Sequence, residues 1–201
     1  MKNCTRLAAI LLLSGSAAFA QNQPNRESPR PGTNTEAISA AEDAVAGMVG
    51  RISAEMTSTT QGFVTAAAIS DMYEIAAGQL AAERGRSTEV KAFGRQMVEA
   101  HTGTSKTLQG LVASNKVNVK APTALDSRRQ GMLDNLKGAS AADFDHRYMV
   151  QQVAAHREAR ALMEGYAKDG DNTAIKQFAA KTVPDIRMHL THAEALNRKI
   201  K

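Results

Sequence analysis

The sequence predicts an all-α protein: a four-helix bundle preceded by one further helix. Three observations carry this reading. The 201 residues are rich in Ala, Leu, Met, Gln, Glu, Lys and Arg, and only 4% are aromatic, a composition that favours helix. Apolar residues recur every three to four positions along most of the chain. The links between the four longest periodic stretches run short, long, short, which sets the order of packing. A β-sandwich or barrel would need many more β-branched and aromatic residues, broken by regular turn signals. The single Cys excludes an internal disulfide and a Cys-based zinc site.

Residues 1–20 read as a signal peptide. Lys2 and Arg6 form a basic start, Leu7 to Leu13 an apolar run, and Ala18-Phe19-Ala20 a small-x-small cleavage site. The run is too short to span a bilayer, and no later stretch is longer. Cys4 sits in the basic start and not at a junction, so a lipoprotein anchor has no support. The expected location is the periplasm. Without Lys2 and Arg6 the formal charge drops from +5 to +3. There is no basic stripe with interleaved aromatics, so no nucleic-acid partner is expected. Residues 21–35 are polar and hold three of the five prolines, the composition of a disordered tether.

From Glu36 the helical period begins. Ile38, Ala41, Val45, Met48, Ile52 and Met56 form one stripe, giving an amphipathic helix over 36–57. That stripe suits packing on the bundle or on a second copy of the chain. The bundle itself is expected over 61–199. Its first helix runs from about Gln61 to Arg84 with Ala66, Ile69, Tyr73, Ala76 and Leu80 in line, and Gly85 ends it. The second starts at Ser87 or Thr88, either able to cap it, and carries Val90, Phe93, Met97, His101, Thr104, Leu108 and Leu111. The third starts at Ser140 with Asp143 in a variant capping box, and carries Phe144, Tyr148, Gln152, Ala155, Ala159, Leu162 and Tyr166. The fourth starts near Asn172 and carries Ile175, Phe178, Thr182, Ile186, His189, Ala193, Leu196 and Ile200, with Pro184 expected to kink it.

Short links make antiparallel neighbours. The stretch from about Asn115 to Ala139 is long enough to travel the length of the bundle, so the third helix is expected parallel to the second. Two hairpins joined by one long crossover is the ferritin-like arrangement. An internal similarity fits it: AERGRSTEVKAFGRQMV at 82–98 and AKDGDNTAIKQFAAKTV at 167–183 share Ala, Gly, Thr, Lys, Phe and Val at the same places.

Each bundle helix contributes one residue of metal-ligand type: Glu74, His101, His156 and His189. Glu74 and His101 are 27 residues apart across their hairpin, placing each roughly 20 Å from its loop. His156 and His189 are 33 apart, placing each roughly 25 Å from the opposite loop. In a bundle about 38–40 Å long the four side chains meet at nearly one level. Buried Glu and His are costly unless paired or metal-bound. Three imidazoles and a carboxylate suit a single Zn, Cu, Fe or Ni ion, not Ca or Mg. The ferritin di-metal pattern is absent, because Val98, Val153 and Ile186 stand three before the histidines where Glu is needed. The competing reading is a core polar network in which Glu74 with Tyr73 or Tyr148 satisfies the imidazoles. His192, one turn past His189, is a candidate assistant, and His146 is expected at the surface. Met97, Met149 and Met163 lie near the histidine level and read as core filler. No Gly-x-Ser-x-Gly, Walker loop or GxGxxG is present, so nucleophilic catalysis has no support and no enzyme activity is assigned.

The stretches FVTAAAISDMYEIAAGQLA, STEVKAFGRQMVEAHT, FDHRYMVQQVAAHREA and IKQFAAKTVPDIRMHLTHAEAL, within residues 63–196, resemble the bacterial domain of unknown function 4142 family. The resemblance implies export and a ferritin-like helical fold, and it points to Glu74, His101, His156 and His189. Family members commonly carry an acidic residue before the second-helix His, where this chain has Ala100. Two functions are therefore expected of the sequence. One is an exported bundle binding a single transition metal in an envelope stress or redox role. The other is a non-catalytic structural or interaction module of the periplasm, self-associating through the 36–57 helix.

Overall fold

The computed structural model describes residues 36–55, 57–114 and 117–200. The signal peptide expected at 1–20 and the tether at 21–35 lie outside these residues, as does Met56. The described residues form six helices and no strand: α1 (Glu36–Glu55), α2 (Thr60–Arg84), α3 (Thr88–Ser114), α4 (Ser127–Gly138), α5 (Phe144–Asp169) and α6 (Thr173–Lys199). Among them no helix is long and apolar enough to cross a membrane.

Side-chain caps set most helix starts. Thr59 accepts from the Gly62 amide at α2, Ser87 Oγ from Glu89 and Val90 at α3, Asp126 from Arg129 at α4, and Asn172 from Ala174 and Ile175 at α6. α5 departs from expectation. Ser140 and Asp143 do exchange hydrogen bonds, but they close a turn, and the helix begins after it at Phe144. Buried Asp145 accepts the Arg86 and Ser87 amides, tying the α2–α3 link to the start of α5. α6 runs through Pro184 as one continuous helix. The long connection holds α4, on which Met132, Leu133 and Leu136 are buried.

Contacts along the helices fix their directions. Asp71 meets His101 and Ser105 while Gly78 meets Gly94, so α2 and α3 are antiparallel. Glu164 meets Arg187 while Arg157 meets Glu194, so α5 and α6 are antiparallel. Phe63 stacks on Tyr166 while Tyr73 bonds Gln151, so α2 and α5 are antiparallel too. α3 therefore runs the same way as α5. Gly78 and Gly94 allow the closest α2–α3 approach: a Cβ on Gly94 would stand 2.7 Å from the Gly78 carbonyl oxygen.

The apolar core is in two parts. One gathers Tyr73, Phe93, Met97, Phe144, Tyr148 and Leu190 with the buried face of α4. The other gathers Phe63, Leu108, Leu162, Tyr166, Ile175 and Phe178. On each of α2, α3, α5 and α6 the break between the two parts holds polar residues: Ser70 and Asp71, His101, His156, and His189.

α1 lies along α5 and α4 with a face opposite to the one its periodicity suggests. Ile38, Val45, Met48 and Val49 are exposed, whereas Ser39, Asp43, Gly50 and Ala54 are buried. The reason is close packing plus polar pairing. Gly47 and Gly50 let α1 approach Ala154 and Glu158. Buried Asp43 accepts from Gln151 (2.7 Å) and Asn135 (3.0 Å), with Arg147 at 3.4 Å. Arg128 holds Glu158 through both carboxylate oxygens, and buried Arg129 joins it while its guanidinium covers the Tyr73 ring at 4.7 Å.

Two glycines of α3 should respond oppositely to alanine. Gly103→Ala enters open space and should stabilise by about 0.5–1 kcal/mol through lower chain entropy and better helix propensity. Gly94→Ala meets the Gly78 carbonyl and should destabilise by about 1–3 kcal/mol. Thermal midpoints of the two variants, moving to opposite sides of the wild type, check the pair.

Candidate metal centre

Three of the four candidate residues converge. One ring nitrogen from each of His101, His156 and His189 lies within 4.8 Å of the others. Ring centroids are 5.6–6.3 Å apart. All three are buried, at 3%, 1% and 5% exposure. Glu74 is buried beside them but outside this group. Its Oε2 accepts from Gln152 Nε2 at 2.7 Å, and its Oε1 is 3.9 Å from His156 Nδ1. Tyr73, expected as a partner for the imidazoles, instead donates to Gln151 at 2.9 Å. His192 is exposed, its ring edge-on to Phe93, and His146 is exposed on α5.

The partners of the rings decide what they present to one another. His101 Nδ1 is 2.7 Å from Asp71 Oδ1. Asp71 also accepts from Thr104 and Ser105, which occupy its oxygens as acceptors. His156 Nδ1 is 2.9 Å from the Gln152 carbonyl oxygen. A carboxylate and a carbonyl can only accept, so both Nδ1 atoms carry the proton. In the neutral rings both Nε2 atoms are then bare lone pairs. Neither Nε2 has a hydrogen-bond partner, and the same holds for His189 Nδ1, Glu74 Oε1, Gln152 Oε1 and Tyr148 Oη. Buried polar atoms are rarely left so. Five of them, on His101, His156, His189, Glu74 and Gln152, belong to one polar layer drawn from four helices, and Tyr148 belongs to the apolar cluster beside it.

Charge follows the same plan. Burial drives His156 down to about 3, helped by the nearby His101. Burial drives His189 down to about 4, helped by His156 and His101. At His101 burial acts downward but is outweighed by the Asp71 hydrogen bond and the Glu74 charge, and the ring titrates above its ordinary value. Burial raises Glu74 above the usual carboxylate range, against the pull of His101 and Gln152. His156 and His189 are therefore neutral at physiological pH, the form that ligates metals.

These residues fit a nitrogen-ligated transition metal. Neutral imidazoles with lone pairs turned inward are a borderline-soft donor set. The Asp71–His101 pair and the carbonyl-held His156 are of the kind that orients imidazoles in metal sites generally. The periodicity marked His101, His156 and His189, but it missed Asp71 and gave Gln152 no role beyond its place in the stripe. The available signal for Asp71 was an acid one turn before Glu74 inside an otherwise apolar helix, with Thr104 and Ser105 just past His101.

The shifts set a pH signature for the metal-free protein. His156 and His189 have folded values below their unfolded value of about 6.5, so the unfolded chain binds more protons between about pH 4 and 6.5. Their contribution to stability is present above that window and falls as pH drops through it. Glu74 and Asp43, raised by burial, act in the opposite direction above the unfolded carboxylate value. A His156→Leu variant separates the two effects. Urea midpoints measured with chelator from pH 7 to 4 should fall more steeply for the wild type than for this variant.

No curated protein and no solved structure matches the chain. A family model described as a domain of unknown function (DUF4142) matches residues 49–196, which takes in part of α1, all of α2 to α5 and α6 as far as Leu196. All four candidate ligands fall within that span, and the chain belongs to the DUF4142 family.

Proposed function

We propose that this is an exported, ferritin-like helical-bundle protein that binds a single transition metal ion, Zn, Cu, Fe or Ni, in the cell envelope. The observation that carries the reading is the convergence of three buried imidazoles from three helices, one ring nitrogen of each within 4.8 Å of the others, together with His101 Nε2, His156 Nε2 and His189 Nδ1 having no hydrogen-bond partner among the described residues. His101, His156 and His189 would hold the ion, and Glu74 is the nearby carboxylate able to balance its charge. A bound ion of this class supplies Lewis acidity or one-electron chemistry. The residues of the chain do the rest: Asp71 and the Gln152 carbonyl orient two of the rings, and the two apolar clusters shut out water. The ferritin-like connectivity draws support from α3 and α5 running the same way with α4 between them in sequence. Export and a stress or redox role in the periplasm draw support from the residue pattern at 1–20.

Metal analysis of the tag-free mature chain, loaded and then desalted, tests this. We expect one ion per chain in the wild type and a negligible amount in His101→Ala and His156→Ala. Asp71→Asn keeps the three rings and should weaken affinity by about 10–100-fold, the usual cost of losing an outer partner. Negligible metal in the wild type would reject the reading.

The exposed Ile38, Val45, Met48 and Val49 of α1 favour a second, compatible role as an interaction module, in which two copies pair through this helix. Light scattering on the mature chain should then give a dimer that Val45→Glu dissociates. A wild-type monomer at every concentration would reject self-association.

A further inference from the structure

We propose that Met188 and His192 form a surface capture site on α6 for a monovalent copper ion, which then passes inward to the three-histidine centre. The inference rests on the metal reading above and adds an entry route and a preferred ion. Asp185, Met188 and His192 are all exposed and follow one another at i, i+3 and i+7 along a single face of α6. Met188 is 55% exposed, and outside α1 it is the one large apolar side chain left so open among the described residues. Met188 stands one helical turn before His192, so a thioether and an imidazole share one exposed face of α6. Residues at i and i+4 on one helix face lie close enough to share an ion. A thioether with an imidazole is a soft pair that selects Cu(I) over Zn(II), and Asp185 adds negative charge along the approach.

The pair stands one aromatic ring away from the buried centre. His192 packs edge-on to Phe93 at 5.1 Å, and the same Phe93 ring stands 6.4 Å from His156. Phe93 thus separates the surface imidazole from the buried ones. His189 lies one residue from Met188 and three from His192, and of the three buried rings it is the most exposed, at 5%. Its Nδ1 is also without a partner. The transfer exchanges ligands on Cu(I) and needs no change of oxidation state.

Stopped-flow loading of the metal-free mature protein with Cu(I), delivered from a coloured chelator under ascorbate, tests the route. The Met188→Leu/His192→Gln double variant should load about tenfold more slowly, because the local concentration of captured ion is lost. Its final stoichiometry and affinity should match the wild type. Met188→Leu alone should slow Cu(I) but leave Zn(II) loading unchanged. Unchanged Cu(I) loading in the double variant overturns the capture site and leaves the buried centre standing. A loss of final affinity in step with rate also overturns it, since the pair would then be ligands of the resting ion. A wild type that takes up no Cu(I) overturns this inference whatever else it binds, and only a wild type that also takes up no Zn, Fe or Ni overturns the buried centre with it.

Discussion

The architecture depends on a polar layer placed in the middle of an apolar interior. Ser70, Asp71, Glu74, His101, Gln152, His156 and His189 come from four helices and divide the core into two clusters. Such groups are costly to bury without partners. Asp71 is fully engaged, by His101, Thr104 and Ser105. Gln152 and Glu74 engage each other on one side only. The helices are thereby locked in register, because a slip of one turn would carry a charged or polar group into Phe or Met packing above or below. Gly78 and Gly94 serve the same layer by drawing α2 and α3 close enough for Asp71 to reach His101.

The helices themselves were legible because their punctuation is local. Ser87 and Asn172 cap from within three residues and mark their helix starts in the chain alone, whereas the Thr59 and Asp126 caps of α2 and α4 emerge only with the structure. The level of the histidines was legible because helix rise is constant. The buried face of α1 was not. Periodicity finds the apolar stripe, but Gly47, Gly50, Asp43 and Ser39 show that small size and polar pairing decided what α5 and α4 accept. The breadth of the α2 burial was missed for a related reason. This helix is enclosed on several sides, so Phe63, Val64, Ala67 and Ala77 are buried while the expected Ala66, Ile69, Ala76 and Leu80 are only half so. Asp71 was missed because its role depends on a neighbouring helix, not on its own.

Adjacent residues of α5 face different tasks. Gln151 bonds Tyr73, Asp43 of α1 and the Met132 carbonyl of α4. Gln152 bonds Glu74, and its own carbonyl holds His156. On α2, Tyr73 and Glu74 answer them in order. The docking of α1 and α4 and the orientation of the histidine layer are therefore joined through two consecutive rungs between α2 and α5. A loosened α1 would act on the centre through this pair before it acted through any apolar contact.

The choice between a metal centre and a self-sufficient polar network turns on the location of protons. A network needs a donor facing each acceptor. Asp71 and the Gln152 carbonyl hold the protons of His101 and His156 on Nδ1, so Nε2 of each neutral ring is an acceptor. Two lone pairs within a few ångströms, in an interior of low dielectric, repel. A proton, a metal ion or a neutral donor such as a buried water relieves them. Burial and the neighbouring His101 hold His156 near 3, and the same forces hold His189 near 4, so protons do not fill these positions at neutral pH. His101 alone keeps a raised affinity for one, through Asp71 and Glu74.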